Sequence, residues 1–260
     1  MSTASAVVAV SLGANILKPC SMATSSRSGS YDFLETIGVN TMLNLSETKE
    51  LLSKTGFGIF PIEKLIPKFD EVYGNVFYIP NILSYALAAL ICPLKPDIVL
   101  YGLSSYDIQL CGPILKNYGV DNYRIISSEE DKKYFMDELN IFGKSYIIDS
   151  EDNKRKMYEF KKILDLPQYN HESIKQLDDK IENIKLALDI LSGRKWNAYG
   201  EIIALNAGNL LQLSGIANTI TEGYYMAKEK LNTGKCIETL KNIVIESNGN
   251  VEKLKKLLKE

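Results

Sequence analysis

The feature that most constrains the fold is an alternation of apolar strands with helical segments along this chain of 260 residues. Residues 97–101 are largely apolar and bounded by proline and glycine, a pattern typical of a parallel strand buried on both faces. A helical segment at 105–118 leads to further strands at 123–127 and 144–149. Strands separated in this way predict βαβ units. The sequence therefore predicts an α/β fold with a mostly parallel sheet flanked by helices, and residues 97–101 at its centre.

The pattern becomes helical from Asn170 onward. Apolar residues recur at helical spacing there, and glycines separate the successive segments. We therefore predict an α/β part at residues 1–169 and a helical C-terminal part of the same domain at 170–260. A chain of 260 residues can bury a full core without disulfides or a structural metal.

Composition and charge exclude several classes of protein. With a net charge of −2, the chain lacks the excess of basic residues that favours binding to nucleic acid. Four scattered cysteines and one histidine argue against a zinc site. The residues before Lys18 carry no positive side chain, so we expect no signal peptide and a cytoplasmic protein with reduced thiols. The apolar run at 79–94 is interrupted by proline and polar residues, which favours a buried core helix over a membrane span.

A serine-rich loop at residues 25–30 is the most distinctive local motif. It contains four serines and one glycine and leads directly into a predicted helix at 32–37. Helix N-termini have unpaired N–H groups and a positive dipole end, so a hydroxyl-rich loop at this place suits an anion. A serine cap on an ordinary surface helix explains the same residues. Both interpretations stay open on the motif alone.

Taken with its flanks, this loop resembles the anthranilate phosphoribosyltransferase family, whose α/β domain is shared with the pyrimidine nucleoside phosphorylases. The family's Ser-Thr-Ala, small-residue helix and Ser-Ser-x-Ser-Gly-Ser-x-Asp loop have counterparts at residues 2–4, 5–12 and 25–32. Shorter matches follow in the family's order at residues 182–184, 205–207, 215–217 and 222–224. The resemblance implies a phosphoribosyltransferase-like domain at residues 1–169.

The resemblance also implies a site for phosphoribosyl pyrophosphate (PRPP). The positions that contact diphosphate or phosphate in the family correspond here to Ser2, Thr3, Lys18, Ser28, Gly29 and Ser30. An Asp-Glu pair that holds Mg²⁺ against the diphosphate is matched by Asp137 and Glu138. Adjacent carboxylates supply the hard oxygen ligands that Mg²⁺ takes, although a solvated surface turn explains the pair equally well.

Two departures from the family pattern concern activity. The sequence starts at the family's Ser-Thr-Ala, so we expect the N-terminal helices and the glycine-rich diphosphate turn to be absent. The family's Lys-His-Gly-Asn-Arg motif is Lys-Pro-Cys-Ser-Met at residues 18–22, which retains only the lysine. The resemblance implies that the replaced His, Asn and Arg would orient the aromatic acceptor. Each lost transition-state donor can cost about 3 kcal/mol, so we expect little unaided catalysis and assign no catalytic residue.

Three interpretations of function remain open. The sequence favours a degenerate family member that acts as a binding or regulatory subunit with a residual phosphate site. There are two alternatives. The chain is one part of a split anthranilate-type enzyme of tryptophan biosynthesis, or it transfers phosphoribose to a different acceptor. We expect a homodimer or a second protein chain as partner, because apolar residues at 2–12 and 57–65 would otherwise be exposed. The expected ligand is a phosphorylated sugar or nucleotide, with no membrane and no nucleic acid.

Overall fold

The computed structural model describes residues 1–20, 29–62, 67, 85, 91–175 and 177–259. Its contacts divide the chain into two compact units. Unit 1 comprises Met1–Val76 with Gln176–Glu260, and unit 2 comprises Phe77–Lys175. Unit 1 therefore joins the two ends of the chain, while the division into parts 1–169 and 170–260 stays a prediction.

The described elements alternate between helices and strands up to Ile163 and are helical afterwards. The helices are α1 (Ser2–Ser11), α2 (Ser30–Thr36), α3 (Leu45–Thr55), α4 (Cys111–Asn117), α5 (Phe160–Ile163), α6 (Lys180–Leu191), α7 (Ala198–Leu213), α8 (Ile220–Asn232), α9 (Cys236–Glu246) and α10 (Val251–Lys259), with a 3₁₀ turn at His171–Ile174. The strands are β1 (Ile16–Cys20), β2 (Phe57–Pro61), β3 (Val99–Gly102), β4 (Tyr123–Glu130), β5 (Tyr134–Met136), β6 (Lys144–Asp149) and β7 (Arg155–Tyr158).

Unit 1 is built around helix α1. This helix consists of small and β-branched residues, and its residues 3–10 are all buried. Helices α7, α8 and α9 contact α1, and the parallel pair of β1 and β2 also lies against it. The expectation of exposed apolar surface at residues 2–12 and 57–65 is therefore wrong for the described residues. Phe57, Ile59 and Phe60 are at most 2% exposed, because β2 packs against β1, α3 and α1. The C-terminal helices α7, α8 and α9 belong to the same unit and cover α1.

Helices α7 and α8 approach each other closely at a pair of glycines. A Cβ atom added to Gly208 would overlap the amide nitrogen of Tyr224 and lie 2.7 Å from the carbonyl carbon of Gly223. A Cβ atom on Gly223 would in turn overlap the backbone of Gly208. Only glycine at both positions permits this backbone contact, which positions the helices that cover α1.

Unit 2 contains a five-stranded sheet with the order β3-β4-β6-β7 and with β5 beside β4. Strands β3 and β4 are parallel, whereas β4 pairs with β5 and β6, and β6 with β7, in the antiparallel sense. The α/β fold is confirmed, and its pairing is parallel in unit 1 and mixed in unit 2. A short turn at residues 131–133 joins β4 to β5, so these two strands are antiparallel. The segment 137–143 then leads to β6 on the other side of β4 and contains no helix.

Several predicted elements differ from the observed ones. Strand β3 is the outermost strand in the order of the described strands, and it is half-buried along its length. The central position expected for residues 97–101 is therefore not observed among these strands. The helix predicted at 105–118 is shorter, Cys111–Asn117. The core helix predicted at 79–94 lies largely outside the described residues. Within the part of the chain that the structure describes, no helix has the length and apolar character to cross a membrane.

The glycine contact between α7 and α8 leads to a stability prediction. Gly208→Ala should lower the free energy of unfolding by about 3 kcal/mol, since backbone atoms must move to admit the methyl group. Gly200→Ala in the same helix is the matched control and should cost less, because a Cβ atom there lies 3.1 Å from a side-chain ring carbon of Trp196 and not within overlap distance of backbone. Urea unfolding measures both variants. Equal stabilities of the two variants would contradict the close packing of α7 on α8.

Candidate functional site

The first predicted site residues meet at the start of helix α1. Lys18 lies in β1, and its Nζ donates a hydrogen bond to Ser2 Oγ over 3.1 Å. Ser2 is the first residue of α1, and the residue before it provides no side-chain cap. The first N–H groups of a helix have no partner within the helix, so an ammonium group beside them creates a positive environment. Thr3 is only 6% exposed, so its side chain belongs to the core.

Asp32 contacts the end of the serine loop, although nothing in the sequence had marked it as a site residue. Gly29 caps α2, and its N–H donates to Asp32 Oδ2 over 2.9 Å. The other carboxylate oxygen, Asp32 Oδ1, lies 2.5 Å from Lys180 Nζ. This ion pair connects α2 to the first turn of α6 and fixes where α2 begins. Ser30 is the first residue of α2, and Ser28 lies outside the described residues.

The residues that replace the family's acceptor motif do not offer comparable groups. Pro19 is exposed and has no N–H to donate. Cys20 is 1% exposed, so its thiol belongs to the core of unit 1. The next two positions, Ser21 and Met22, lie outside the described residues. Elsewhere, burial raises the pKa of the Cys111 thiol to about 12 and also raises that of Cys236, which suits inert thiols rather than nucleophiles.

The predicted metal ligands lie in unit 2, directly after β5. The Asp137 side chain is exposed and that of Glu138 is half-buried. The backbone of Asp137 lies against Gly102, the last residue of β3. The pair is therefore at the carboxyl end of the parallel strands β3 and β4, the edge at which α/β sheets bind ligands. Among the described residues, no three His, Cys, Asp or Glu side chains converge as a metal cluster, so a cation here needs further oxygen ligands.

A second polar cluster in unit 1 was not predicted from the sequence. Glu201 is 3% exposed and accepts hydrogen bonds from Trp196 Nε1 at 2.8 Å and from the Tyr224 hydroxyl. Lys228 Nζ lies 3.3 Å from the same carboxylate. Because the buried charge is satisfied by three donors, this cluster joins α7 to α8 and has a structural role. Glu201 lies in α7, whereas Tyr224 and Lys228 lie one turn apart in α8. The contact of Glu201 with α8 follows from tertiary packing, and no spacing in the sequence indicates it.

Comparison with known sequences agrees with the observed fold. A family model described as glycosyl transferase family, a/b domain, matches residues 1–237. The anthranilate phosphoribosyltransferase of Helicobacter pylori is 29% identical over 244 residues, which cover 90% of this chain and 69% of that protein. The anthranilate phosphoribosyltransferase of Bacillus cereus is 26% identical over 264 residues, and the match covers 98% of this chain and 74% of that protein.

Solved structures of similar proteins share the fold. Anthranilate phosphoribosyltransferase from Thermus thermophilus superposes with a TM-score of 0.80 at 22% identity, over 95% of this chain and 72% of that one. The Saccharomyces cerevisiae protein in complex with PRPP and Mg superposes with a TM-score of 0.76 at 20% identity, and the match covers 95% of this chain and 69% of that one. From the match over residues 1–237 and these relatives, we conclude that this chain belongs to the glycosyl transferase family and contains the α/β domain found in the anthranilate phosphoribosyltransferases.

Proposed function

We propose that unit 1 binds the phosphate of a phosphorylated ribose at the start of helix α1. The contact between Lys18 Nζ and Ser2 Oγ carries this proposal, because it places a cation and a hydroxyl beside the first N–H groups of the helix. Lysine acts as a point charge toward phosphate, and helix N–H groups complete the oxygen contacts. Lys18 is also the one residue retained from the family's five-residue motif.

The serine loop contributes a second set of donors in the same unit. Ser28 and Ser30 are proposed to bind phosphate oxygens through their hydroxyl groups. Gly29, the third residue matched to the family's loop, instead donates its N–H to Asp32 Oδ2. The Asp32–Lys180 pair supports this role indirectly, since it fixes the first turn of α2 from a residue on α6. The carboxylate already accepts from Gly29 N–H, so the hydroxyl of Ser30 is the more available donor.

Asp137 and Glu138 are proposed to bind Mg²⁺ in unit 2. Two carboxylates and surrounding water fit the octahedral oxygen coordination that Mg²⁺ requires, and a phosphate oxygen of a ligand commonly completes it. The yeast relative crystallised with PRPP and Mg supports the choice of metal. The half-buried Glu138 and exposed Asp137 leave the pair accessible to a cation.

The proposed role of the chain is that of a binding or regulatory subunit instead of an anthranilate-converting enzyme. The residues at the family's acceptor motif support a binding role over conversion of anthranilate. Pro19 has no backbone N–H to donate and Cys20 is buried, at positions where the family motif provides groups that orient the acceptor. Transfer of phosphoribose to a different acceptor is the second candidate. It is favoured by the retention of Lys18, Ser2 and the Asp137–Glu138 pair.

A thermal-shift measurement tests the phosphate site. Millimolar ribose 5-phosphate should raise the Tm of the protein by a few degrees, because a ligand selective for the folded state stabilises it by mass action. Lys18→Met should remove this gain. Lys49→Met, at an exposed position of α3 in the same unit, is the matched control and should keep it. A gain that survives Lys18→Met unchanged would contradict the proposed site.

The serine loop has a test of its own. The double change Ser28→Ala and Ser30→Ala removes two proposed hydroxyl donors and should weaken the binding of ribose 5-phosphate about tenfold, in line with the loss of one or two hydrogen bonds to a charged group. Isothermal titration calorimetry measures the Kd. Wild-type affinity in the double variant would contradict the proposed role of the two serines in phosphate binding.

An activity assay tests the acceptor side. Incubation with PRPP, Mg²⁺ and anthranilate should leave the anthranilate fluorescence unchanged, because the acceptor-orienting groups are replaced at residues 19–22. The Helicobacter pylori relative serves as the positive control under the same conditions. Steady consumption of anthranilate by the purified chain would contradict the assignment as a non-converting subunit.

A further inference from the structure

A cluster of oppositely charged groups lies on one face of the sheet in unit 2. Tyr146 on β6 pairs with Ser127 on β4, and Glu129 lies two residues further along β4, on the same face. Arg155 on β7 pairs with Ile148, which places its side chain on the face of Tyr146. Three strands therefore bring a carboxylate, a phenol and a guanidinium group together.

The guanidinium group of Arg155 is enclosed by two tyrosine rings. Its Cζ lies 3.7 Å from the ring centroid of Tyr146 and 4.4 Å from that of Tyr106. Nε and Nη2, which form one edge of the group, are shielded from solvent and have no hydrogen-bond partner among the described residues. The same edge of Arg124 binds Asp149, with Nε 2.6 Å from Oδ1 and Nη2 3.2 Å from Oδ2. Arg155 therefore presents, without a protein partner, the fork that suits a carboxylate.

The negative charge of the cluster is incompletely paired as well. Glu129 is 3% exposed, and its Oε1 accepts a hydrogen bond from the Tyr146 hydroxyl over 2.7 Å. Burial and this hydrogen bond raise the pKa of Tyr146 to about 12, so the hydroxyl remains a donor at neutral pH. Oε2 of Glu129 is buried and has no hydrogen-bond partner among the residues that the structure describes. A buried carboxylate oxygen without a donor is unfavourable, and an ammonium group supplies three donors.

We propose that this cluster binds the zwitterionic head group of a free α-amino acid. The Nε–Nη2 edge of Arg155 binds the carboxylate of the ligand, and Glu129 Oε2 accepts from its ammonium group. Tyr146 separates the two charges, with its ring against the guanidinium group and its hydroxyl on Glu129. A molecule that carries an anion and a cation on one carbon atom satisfies both residues, whereas a phosphate or a simple carboxylate leaves Glu129 Oε2 without a donor.

Tyr106 is the part of the enclosure that can open for a ligand. It lies in the segment between β3 and α4 and is 51% exposed, so its ring can turn toward solvent without loss of a buried contact surface. The ring contacts Arg155 and meets Tyr146 edge to face, with 6.3 Å between the ring centroids. Its rotation therefore uncovers the guanidinium group on that side. All these residues belong to unit 2, so the inference goes beyond the phosphate site proposed for unit 1.

The first test is a thermal-shift screen of the full chain with each common L-amino acid at millimolar concentration. At least one should raise the Tm by a few degrees, because a ligand selective for the folded state stabilises it. The N-acetyl derivative of that amino acid lacks the ammonium charge and its amide lacks the carboxylate, so neither should raise the Tm. An equal gain with either derivative, or no gain with any amino acid, would overturn the zwitterion site.

Two conservative variants then locate the site. Arg155→Lys keeps the positive charge and removes the fork, and Glu129→Gln keeps an acceptor for Tyr146 and removes the negative charge. Each should raise the Kd of the amino acid at least tenfold in isothermal titration calorimetry. Lys154→Met, at an exposed position beside Arg155, is the matched control and should keep the wild-type Kd. A wild-type Kd in either conservative variant would overturn the assignment.

A variant of the half-exposed wall keeps the proposal testable if a buried variant fails to fold. Tyr106→Ala removes one of the two rings that enclose Arg155 and should raise the Kd several-fold. Tyr118→Ala is its control, because Tyr118 is 56% exposed in the same unit and should leave the Kd unchanged. Equal Kd values for Tyr106→Ala and the wild-type chain would contradict the site.

Discussion

The burial of helix α1 is the interaction on which unit 1 depends. Its small and β-branched side chains allow α7, α8 and α9 to contact it, and the first strand pair lies beside it. The paired glycines of α7 and α8, Gly208 and Gly223, permit the close approach that holds this cover in place. Because α1 is fixed in the core, its first turn is fixed too, and the contact between Ser2 and Lys18 has a defined geometry. The proposed phosphate site is therefore a consequence of core packing.

The α/β fold, the family and most helices could be predicted because they depend on local signals. Strand and helix periodicity, glycine stops and the serine loop are visible over short windows of sequence. The edge strand β7 was missed because Arg155, Lys156 and neighbouring charges resemble a solvated segment. The position of β3 in the sheet and the mixed pairing in unit 2 depend on which strands meet in space, and apolar character alone does not determine that.

The candidate site was predictable only in part for the same reason. The residues matched to the family motif could be named, but the burial of Thr3 and Cys20 follows from tertiary packing. The ion pair of Asp32 with Lys180 joins positions 148 residues apart. The backbone of Asp137, directly after β5, lies against Gly102 at the end of β3. The expectation of exposed apolar surface at residues 2–12 and 57–65 was wrong for the described residues, because the C-terminal helices cover α1 while β1, α3 and α1 cover β2.

The central claim is that phosphate binds at the start of α1 beside Lys18. A titration of the isotopically labelled protein with PRPP, followed through its backbone amide NMR signals, tests this most directly. The account predicts the largest shifts at Ser2, Thr3 and Lys18, with smaller ones at Gly29 and Ser30. Saturable shifts confined to other parts of the chain, such as the surface groove lined by Lys185 and Lys195, would contradict it. So would the absence of any shift at millimolar PRPP.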